Sequence, residues 1–278
     1  TQPDMSGVEI EHVFTLRTVE DTFRIKDYII KNHPRSVVLA GGGFISLELA
    51  ENLKELDMDV TIVQNGKQLM NPFDADMASF IHNELRRHGV NLVFGHAVTG
   101  FTKHDGGVEV MLKDNCSLST DMAILAIGVT PDTELARSAG LELGLKGSIV
   151  VSDKMETSVP DIYAAGDAVQ VKNFVTGEDD LIALAGPANK QGRIIADNIC
   201  GLDSRYNGSQ GSSVIKVFDL TAATTGINEK RAAKSGIDAD SVILSPMSHA
   251  GYYPGGKVMT MKVVFEKETY RLLGAQII

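Results

Sequence analysis

The sequence has little cysteine, no long apolar run and no cluster of positive charge. Its two cysteines, Cys116 and Cys200, are far apart and form neither a CxxC nor a CxxxxC pattern. We therefore interpret them as inert thiols rather than as a redox pair. No apolar stretch approaches the ~20 residues that span a bilayer, and no signal peptide opens the chain. These absences argue against a membrane protein and favour a cytoplasmic one.

The balance of charge argues against nucleic acid as a partner. Lysine and arginine number 26 against 36 aspartates and glutamates, which gives a formal net charge of −10. No basic run is longer than the pair Arg86 and Arg87, whereas nucleic-acid binding needs a clustered cationic face. We also expect no metal site. The composition, 43% hydrophobic and 22% charged, is typical of a globular protein, and 278 residues suffice for about two domains.

Two amphipathic helices are predicted in the first third of the chain. A capping box formed by Thr18 and Asp21 predicts a helix over residues 18–32. Asp74 can cap a second helix, which ends at Gly89. We expect the apolar faces of both helices to pack against a core. These faces consist of Phe23, Ile25, Tyr28 and Ile29 in the first helix and Met77, Phe80, Ile81 and Leu85 in the second.

A strand–turn–helix–strand unit lies between these two helices. The short apolar run 36–40 predicts a buried strand and leads into three glycines at 41–43. A helical pattern then covers residues 44–56, and a second strand covers 59–63. This order is the βαβ arrangement of a parallel sheet.

The rest of the chain predicts a meander and then a part of different character. The earlier part is expected to be a parallel sheet with an antiparallel meander laid over it, and the later part a separate α+β unit. The predicted elements are strands at 90–94, 108–112 and 122–126, a glycine-rich loop at 165–167, a helix at 187–200, a polar linker at 207–213, a further strand, a short helix near 228–234 and at least three more strands.

The glycine turn carries the strongest functional signal. In a dinucleotide-binding fold, the first glycine, here Gly41, makes a tight turn after the strand. The second glycine of the motif, here Gly43, lets the backbone approach a pyrophosphate that sits on the positive N-terminus of the helix. The flanking strand and helix make dinucleotide binding much better supported than a chance glycine turn.

Two residues depart from the dinucleotide pattern. Ser46 replaces the third glycine, and its small side chain can still permit close packing between helix and strand. Gln64 stands at the end of the second strand, where an acidic residue would hold the ribose hydroxyls. A neutral amide does not repel a 2′-phosphate, and Lys67 could attract one. The choice between NADH and NADPH therefore stays open, with NADH slightly favoured.

Three motifs in order resemble those of a known family. Residues 41–48, 126–131 and 157–167 are similar to the motif series of the FAD-dependent pyridine nucleotide-disulfide oxidoreductases. Residues 184–193, the opening of a dimerisation domain at 218–229, and residues 249–255 resemble the branch of coenzyme A-disulfide reductases and NADH oxidases. The resemblance covers nearly the whole chain.

The resemblance implies a division of the chain and a fold. It implies a linker at 1–11, a Rossmann-like NAD(P)H-binding domain at 12–149, the C-terminal segment of the FAD domain at 150–206 and a truncated dimerisation domain at 207–278. The family's redox cysteine and the first part of its FAD domain are not recognised in these residues. We therefore expect a piece of a longer α/β enzyme that is inactive by itself.

The resemblance also implies cofactors and site residues. Phe44 would gate the flavin and Glu48 would orient the nicotinamide, the alternatives being a core aromatic and a solvated charge. One of Tyr252 and Tyr253, read as neighbours in a strand and therefore facing opposite sides, would approach the substrate in a partner subunit or else serve packing. The residues implied for NADH or NADPH are Gly41, Gly42, Gly43, Phe44, Ile45, Glu48, Gln64, Ala126, Ile127 and Gly128, and those for FAD are Gly166, Asp167, Ala185, Gly186 and Pro187.

The function implied for the whole enzyme is hydride transfer from NAD(P)H through FAD to a small disulfide, foremost coenzyme A disulfide, in a homodimer. An NADH oxidase or peroxidase that uses oxygen or peroxide as acceptor is the close alternative. A dinucleotide-binding module without catalysis is a second one. A Rossmann dehydrogenase without flavin is disfavoured by the motif at 157–167.

Overall fold

The computed structural model describes residues 5–278, and the chain divides into two compact units. The first unit contains residues 5–128 together with Ile215–Ala222 and Ile278. The second contains Val129–Val214 and Ala223–Ile277. Residues 1–4 of the predicted linker lie outside the described residues. The division into four segments at 11, 149 and 206 stays a prediction.

The predicted helices and strands occur in the predicted order, and the structure contains several further elements that were not predicted from the sequence. The elements of residues 5–128 are β1 (Val13–Thr15), α1 (Val19–Asn32), β2 (Ser36–Ala40), α2 (Phe44–Lys54), β3 (Asp59–Gln64), α3 (Ala75–Arg87), β4 (Asn91–Phe94), β5 (Val98–His104), β6 (Gly107–Leu112), β7 (Ser117–Thr120) and β8 (Met122–Leu125). Those that follow are α4 (Glu134–Ser138), β9 (Val171–Lys172), β10 (Asp179–Asp180), α5 (Ala185–Ile199), β11 (Ser213–Val217), β12 (Leu220–Gly226), α6 (Glu229–Lys234), β13 (Ala239–Leu244), β14 (Met261–Glu266) and β15 (Leu272–Ile277).

A parallel five-stranded sheet forms the centre of the first unit. Its strand order is β1-β8-β2-β3-β4, and a three-stranded antiparallel meander, β5-β6-β7, accompanies it. Alternate residues of β2 face opposite cores: Val37 and Leu39 lie in the core shared with the helices, and Val38 lies in the core shared with the meander. Because both faces of the sheet are covered, its strands are apolar at nearly every position. The predicted α/β fold class is confirmed.

The helix starts were predicted better than the helix faces. The capping box is present, since Thr18 Oγ1 accepts from Asp21 N and the Asp21 carboxylate accepts from Thr18 N. However, Phe23 is 58% exposed, and among the described residues of α1 only Ile25 is fully buried. Phe80 of α3 is also exposed, which contradicts its placement on the apolar face. The buried face of α3 contains His82 and Ala78 beside Ile81, and this turns residue 80 towards the surface.

The second unit contains a two-stranded sheet, α5 and a larger antiparallel sheet. The pair β9–β10 and the ladders β12–β15, β14–β15 and β13–β14 are all antiparallel. Residues 207–213, predicted to be a linker, are held by a bridge between Ser209 and Asn173, the residue that follows β9. Among residues 5–278, no helix combines the length and apolar character that crossing a bilayer requires.

His82 anchors the loop that follows β3. Its Nε2 accepts a hydrogen bond from Leu69 N at 3.1 Å, and its ring packs against Phe94 with ring centres 5.0 Å apart. Burial, assisted by the nearby charge of Arg86, lowers the pKa of His82 from 6.5 to about 4. The imidazole is therefore neutral at pH 7, which matches its role as an acceptor.

We predict that His82 makes the chain less stable in mild acid. Between pH 6.5 and 4 the unfolded chain binds a proton at this residue while the folded chain does not, so the free energy of unfolding falls as pH falls. The contribution amounts to about 3 kcal/mol at most. Urea unfolding at several pH values measures it. The loss should be smaller in His82→Gln and unchanged in His104→Gln, an exposed histidine; equal losses in all three proteins would contradict the assignment.

Candidate nucleotide-binding site

The candidate site lies where the strand order of the parallel sheet reverses. β2 lies between β3 and β8, and all three run parallel, so their carboxyl ends meet at one edge. Ala126 N donates to Ala40 O at 2.8 Å, and Gly41 N donates to Val63 O at 2.8 Å. These bonds bring the turns after β2 and β8 together. Open α/β sheets bind their ligands at such a switch point.

Gly41 is required by its own backbone and by its neighbour. Its φ is +109°, a conformation that residues with a side chain rarely adopt. An added Cβ would lie 2.3 Å from the carbonyl oxygen of Ala126. The sequence pattern predicted only a tight turn at the first glycine of the motif. The structure adds that this glycine permits the close approach of two backbone segments.

Gly43 is open where Gly41 is crowded. It is the N-cap of α2, it is exposed, and an added Cβ would meet no atom within 4 Å. The first amide groups of a helix have no partner within the helix and carry its positive partial charge. The backbone at Gly43 thus leaves room for an anionic group at the start of α2. Ser46, in the third position of the motif, is completely buried, so its small side chain does fit there.

Gln64 lies beside the glycine turn, at the end of β3. An added Cβ on Gly42 would be 3.2 Å from Gln64 Cδ, which shows how close the two residues are. Gln64 Nε2 donates to Gln68 O at 3.2 Å, so its Oε1 is the atom with acceptor capacity to spare. The loop around Met70 was not predicted from the sequence. Met70 N donates to Gly42 O at 2.8 Å and thereby supports the glycine turn.

The other residues implied for the nicotinamide nucleotide follow the same two strands. Phe44 is half-buried and packs against the helix-side core, while Glu48, one turn further along α2, is exposed. Ile127 is 51% exposed, and Gly128, with a φ of +124°, is open on all sides. The turns after β2 and β8 therefore bring these residues to one edge of the sheet. The individual roles of Phe44 and Glu48 remain predictions.

In the second unit, the residues implied for the flavin meet at the start of α5. Gly166 has a φ of +85°, and its N donates to Gln191 Oε1 at 2.7 Å. Gln191 lies in α5 and is 1% exposed, while Asp167 is exposed. Pro187 occupies the first turn of α5, where its missing N–H costs no helical hydrogen bond. A carboxylate and a helix start are thus available to an alcohol-bearing, anionic ligand. The supporting role of Gln191 was missed, because a buried polar side chain has no local sequence signal.

The tyrosine pair differs from the sequence prediction. Tyr252 and Tyr253 lie in a turn rather than in a strand, so they do not face opposite sides. Their ring centres are 5.0 Å apart, and the side chains are 84% and 63% exposed. The strand pattern failed because glycine and proline around the pair favour a turn. Both rings are therefore accessible from one side of the loop.

A comparison with protein families decides the relationship. Residues 1–192 match the profile of the pyridine nucleotide-disulphide oxidoreductases, and residues 212–278 match the dimerisation domain of the same family. The chain belongs to this family. The resemblance inferred from the three motifs is therefore confirmed, while the assignment of the β2–α2–β3 unit as the nucleotide-binding core stays a prediction.

Curated relatives in the family include archaeal enzymes. The chain is 36% identical over 275 residues to the NAD(P)H sulfur oxidoreductase (CoA-dependent) of Pyrococcus abyssi, which covers 99% of this chain and 61% of that protein. It is 34% identical over 277 residues to the NADH oxidase of Methanocaldococcus jannaschii, again covering 99% and 61%. The chain thus spans about three fifths of the length of these family members.

A solved structure gives the same picture. The crystal structure of reduced Bacillus anthracis CoADR-RHD is 46% identical in sequence, with a TM-score of 0.95, and the match covers 100% of this chain and 50% of that one. The fold of the family is therefore followed throughout the chain.

We predict that Gly41 and Gly43 differ in their tolerance of an added methyl group. Gly41→Ala should lower the free energy of unfolding by about 3 kcal/mol, because of its positive φ and its contact with Ala126. Gly43→Ala should cost less than about 1 kcal/mol, since its Cβ enters open space. Urea unfolding of both variants measures this difference. Similar losses in both variants would contradict the geometry of the turn.

Proposed function

We propose that the chain provides the nicotinamide-nucleotide site of a flavoprotein oxidoreductase that passes hydride from NAD(P)H to FAD and on to a disulfide of the coenzyme A class. The observation that carries this proposal is the open backbone at Gly43, at the start of α2 and at the switch point of a parallel sheet. Family membership supports the reaction type.

The geometry supports NADH or NADPH as the ligand of the first unit. The pyrophosphate would lie at Gly43, on the amide groups that open α2. The adenosine ribose would lie at Gln64, whose Oε1 can accept from a hydroxyl group. Ala126, Ile127 and Gly128 would border the nucleotide from β8. Phe44 and Glu48 would stand at the nicotinamide end, the one moving aside as the ring docks and the other orienting its amide.

The second unit supports FAD as a further cofactor. Asp167 offers an exposed carboxylate that can accept from the ribityl hydroxyls. Gly166, whose positive φ suits a residue without a side chain, leaves room for a ligand beside the backbone. Ala185 and Gly186 open α5 with little side-chain bulk, so a ligand can approach its first amides. When bound, the nicotinamide supplies a hydride and the flavin relays its electrons to the acceptor. The protein contributes positioning and electrostatics.

The names of the relatives guide the choice of acceptor and assembly. A CoA-dependent sulfur oxidoreductase in Pyrococcus abyssi favours a sulfur acceptor linked to coenzyme A. The NADH oxidase of Methanocaldococcus jannaschii favours oxygen as the second candidate. The dimerisation profile at 212–278 supports a homodimer, in which Tyr252 or Tyr253 would reach the acceptor bound to the partner subunit. Their exposure leaves both rings free for this role.

Replacing Gly43 tests the nucleotide site directly. Gly43→Val should weaken NADH binding about 10- to 100-fold, because the side chain blocks one or two hydrogen bonds from backbone amides to a charged group. The fold should persist, since the new atoms point into open space. Titration calorimetry with NADH measures the affinity, and the thermal unfolding midpoint checks the fold. Gly192→Val, at an equally open glycine of α5, is the matched control. Unchanged affinity in a folded Gly43→Val protein would refute the site.

Replacing Gln64 tests the position of the ribose. Gln64→Glu should shift the ratio of NADPH to NADH affinity towards NADH by about tenfold, since a carboxylate near the surface repels the 2′-phosphate. Both dissociation constants are measured by calorimetry in the same buffer. Asn91→Asp adds the same charge at the amino end of β4 and should leave the ratio unchanged. An unchanged ratio in Gln64→Glu would place the ribose elsewhere.

A further inference from the structure

Three potential metal ligands converge away from the nucleotide site. Glu84 and His88 lie one turn apart at the end of α3, and Asp219 lies in the turn between β11 and β12. Ligand atoms of the three side chains all lie within 4.8 Å of one another. Because Asp219 is 135 residues from Glu84 in sequence, no local pattern could reveal that the three residues meet. No metal site was therefore predicted from the sequence.

We propose that Glu84, His88 and Asp219 form a binding site for a divalent transition metal of the zinc class. Glu84 Oε1 is 3.2 Å from His88 Nε2, and His88 Nε2 is 3.8 Å from Asp219 Oδ2. Tetrahedral zinc with bonds of about 2.0–2.1 Å to nitrogen and oxygen places its ligands roughly 3.3 Å apart. The three ligand atoms lie within 4.8 Å of one another, so rotation of the side chains, above all that of the exposed Asp219, would bring them to three corners of the tetrahedron. A water molecule can take the fourth.

The imidazole is held in position by its surroundings. The ring of His88 stacks on that of Phe218, with ring centres 3.9 Å apart and planes 3° apart. Phe218 is itself fixed, since its N donates to the carboxylate of Glu51 at 2.9 Å. The ligand nitrogen therefore faces the two carboxylates without further ordering of the ring. A site that is ordered before binding loses less conformational entropy when the ion arrives.

The charge of the group favours a cation. Glu84 is almost fully buried; its Oε2 pairs with Arg87 at 3.2 Å, and its Oε1 faces His88 and accepts from Asp219 N at 3.3 Å. Asp219 adds a second carboxylate, and the nearby Lys216 is engaged by Glu51. Two carboxylates and an imidazole match the ligand preferences of zinc. The side chain of Asp219 is 86% exposed, so an ion can enter from solvent.

The bound ion would fasten the tip Ile215–Ala222 to α3. The tip is already attached to α2 through Glu51, which binds Phe218 N and the Lys216 ammonium group. The tip also contacts the end of α3, where His88 stacks on Phe218 and Asp219 N donates to Glu84 Oε1. A metal ion would strengthen this second attachment, independently of the nucleotide and of catalysis. Its effect would therefore appear as stability of the folded chain, because the site is absent from the unfolded one.

The test is zinc binding by the chain without an affinity tag, after treatment with a chelator and its removal. Titration calorimetry at about pH 7.5 should give one zinc ion per chain. His88→Gln and Asp219→Asn should each weaken binding at least about 10- to 100-fold. His104→Gln, which removes an exposed histidine of β5, should bind as the unchanged protein does.

Two further measurements separate a built site from an ion-pair cluster. Zinc should raise the thermal unfolding midpoint of the unchanged chain and of His104→Gln, but not that of His88→Gln or Asp219→Asn. Cobalt should give visible absorption bands of tetrahedral coordination that the His88→Gln variant lacks. Unfolding midpoints in chelator establish that all variants are folded. Two outcomes would mean that the three residues form an ion-pair cluster only and would overturn the proposal. One is the absence of saturable zinc binding, and the other is zinc binding by both ligand variants that is as tight as that of the unchanged chain.

Discussion

The close approach of Gly41 to the carbonyl of Ala126 is the constraint on which the candidate site depends. Without a side chain at Gly41, the turn after β2 can pass within contact distance of the turn after β8. This approach brings Gly43 and the start of α2 to the same sheet edge as Ala126 and the residues that follow it. A larger residue would push the two turns apart. The edge would then lose the close, unobstructed backbone approach that the proposed pyrophosphate site needs.

The same edge is supported from the side of β3. Gln64 and the loop after it are held by hydrogen bonds from Gln64 Nε2 and from Met70 N, and the loop is anchored in turn by the neutral imidazole of His82. The first unit thus combines an open, positively polarised helix start with a rigid support behind it. At the proposed site, such preorganisation would let a nucleotide bind without first ordering the loops that contact it.

Much of this fold could be read from local patterns. The capping box at Thr18, the strand Ser36–Ala40 and the glycine turn each depend on residues close together in sequence, and the structure reproduces them. The faces of the helices were less predictable. Phe23 and Phe80 are apolar but exposed, because the direction of a helix face depends on how the helix packs and not on its own composition alone. The turn at Tyr252 was misread for a related reason, since two adjacent aromatics are compatible with a strand and with a turn.

The sequence by itself determined the family, the α/β class and the position of the glycine turn, because these rest on short motifs whose glycines answer local backbone requirements. Only the tertiary structure decided which distant side chains meet. It brought Gln191 to the amide of Gly166 and Asp219 to Glu84 and His88, across many intervening residues. Such contacts arise from the packing of whole elements, which depends on the summed burial of many residues and leaves no signature at any one of them.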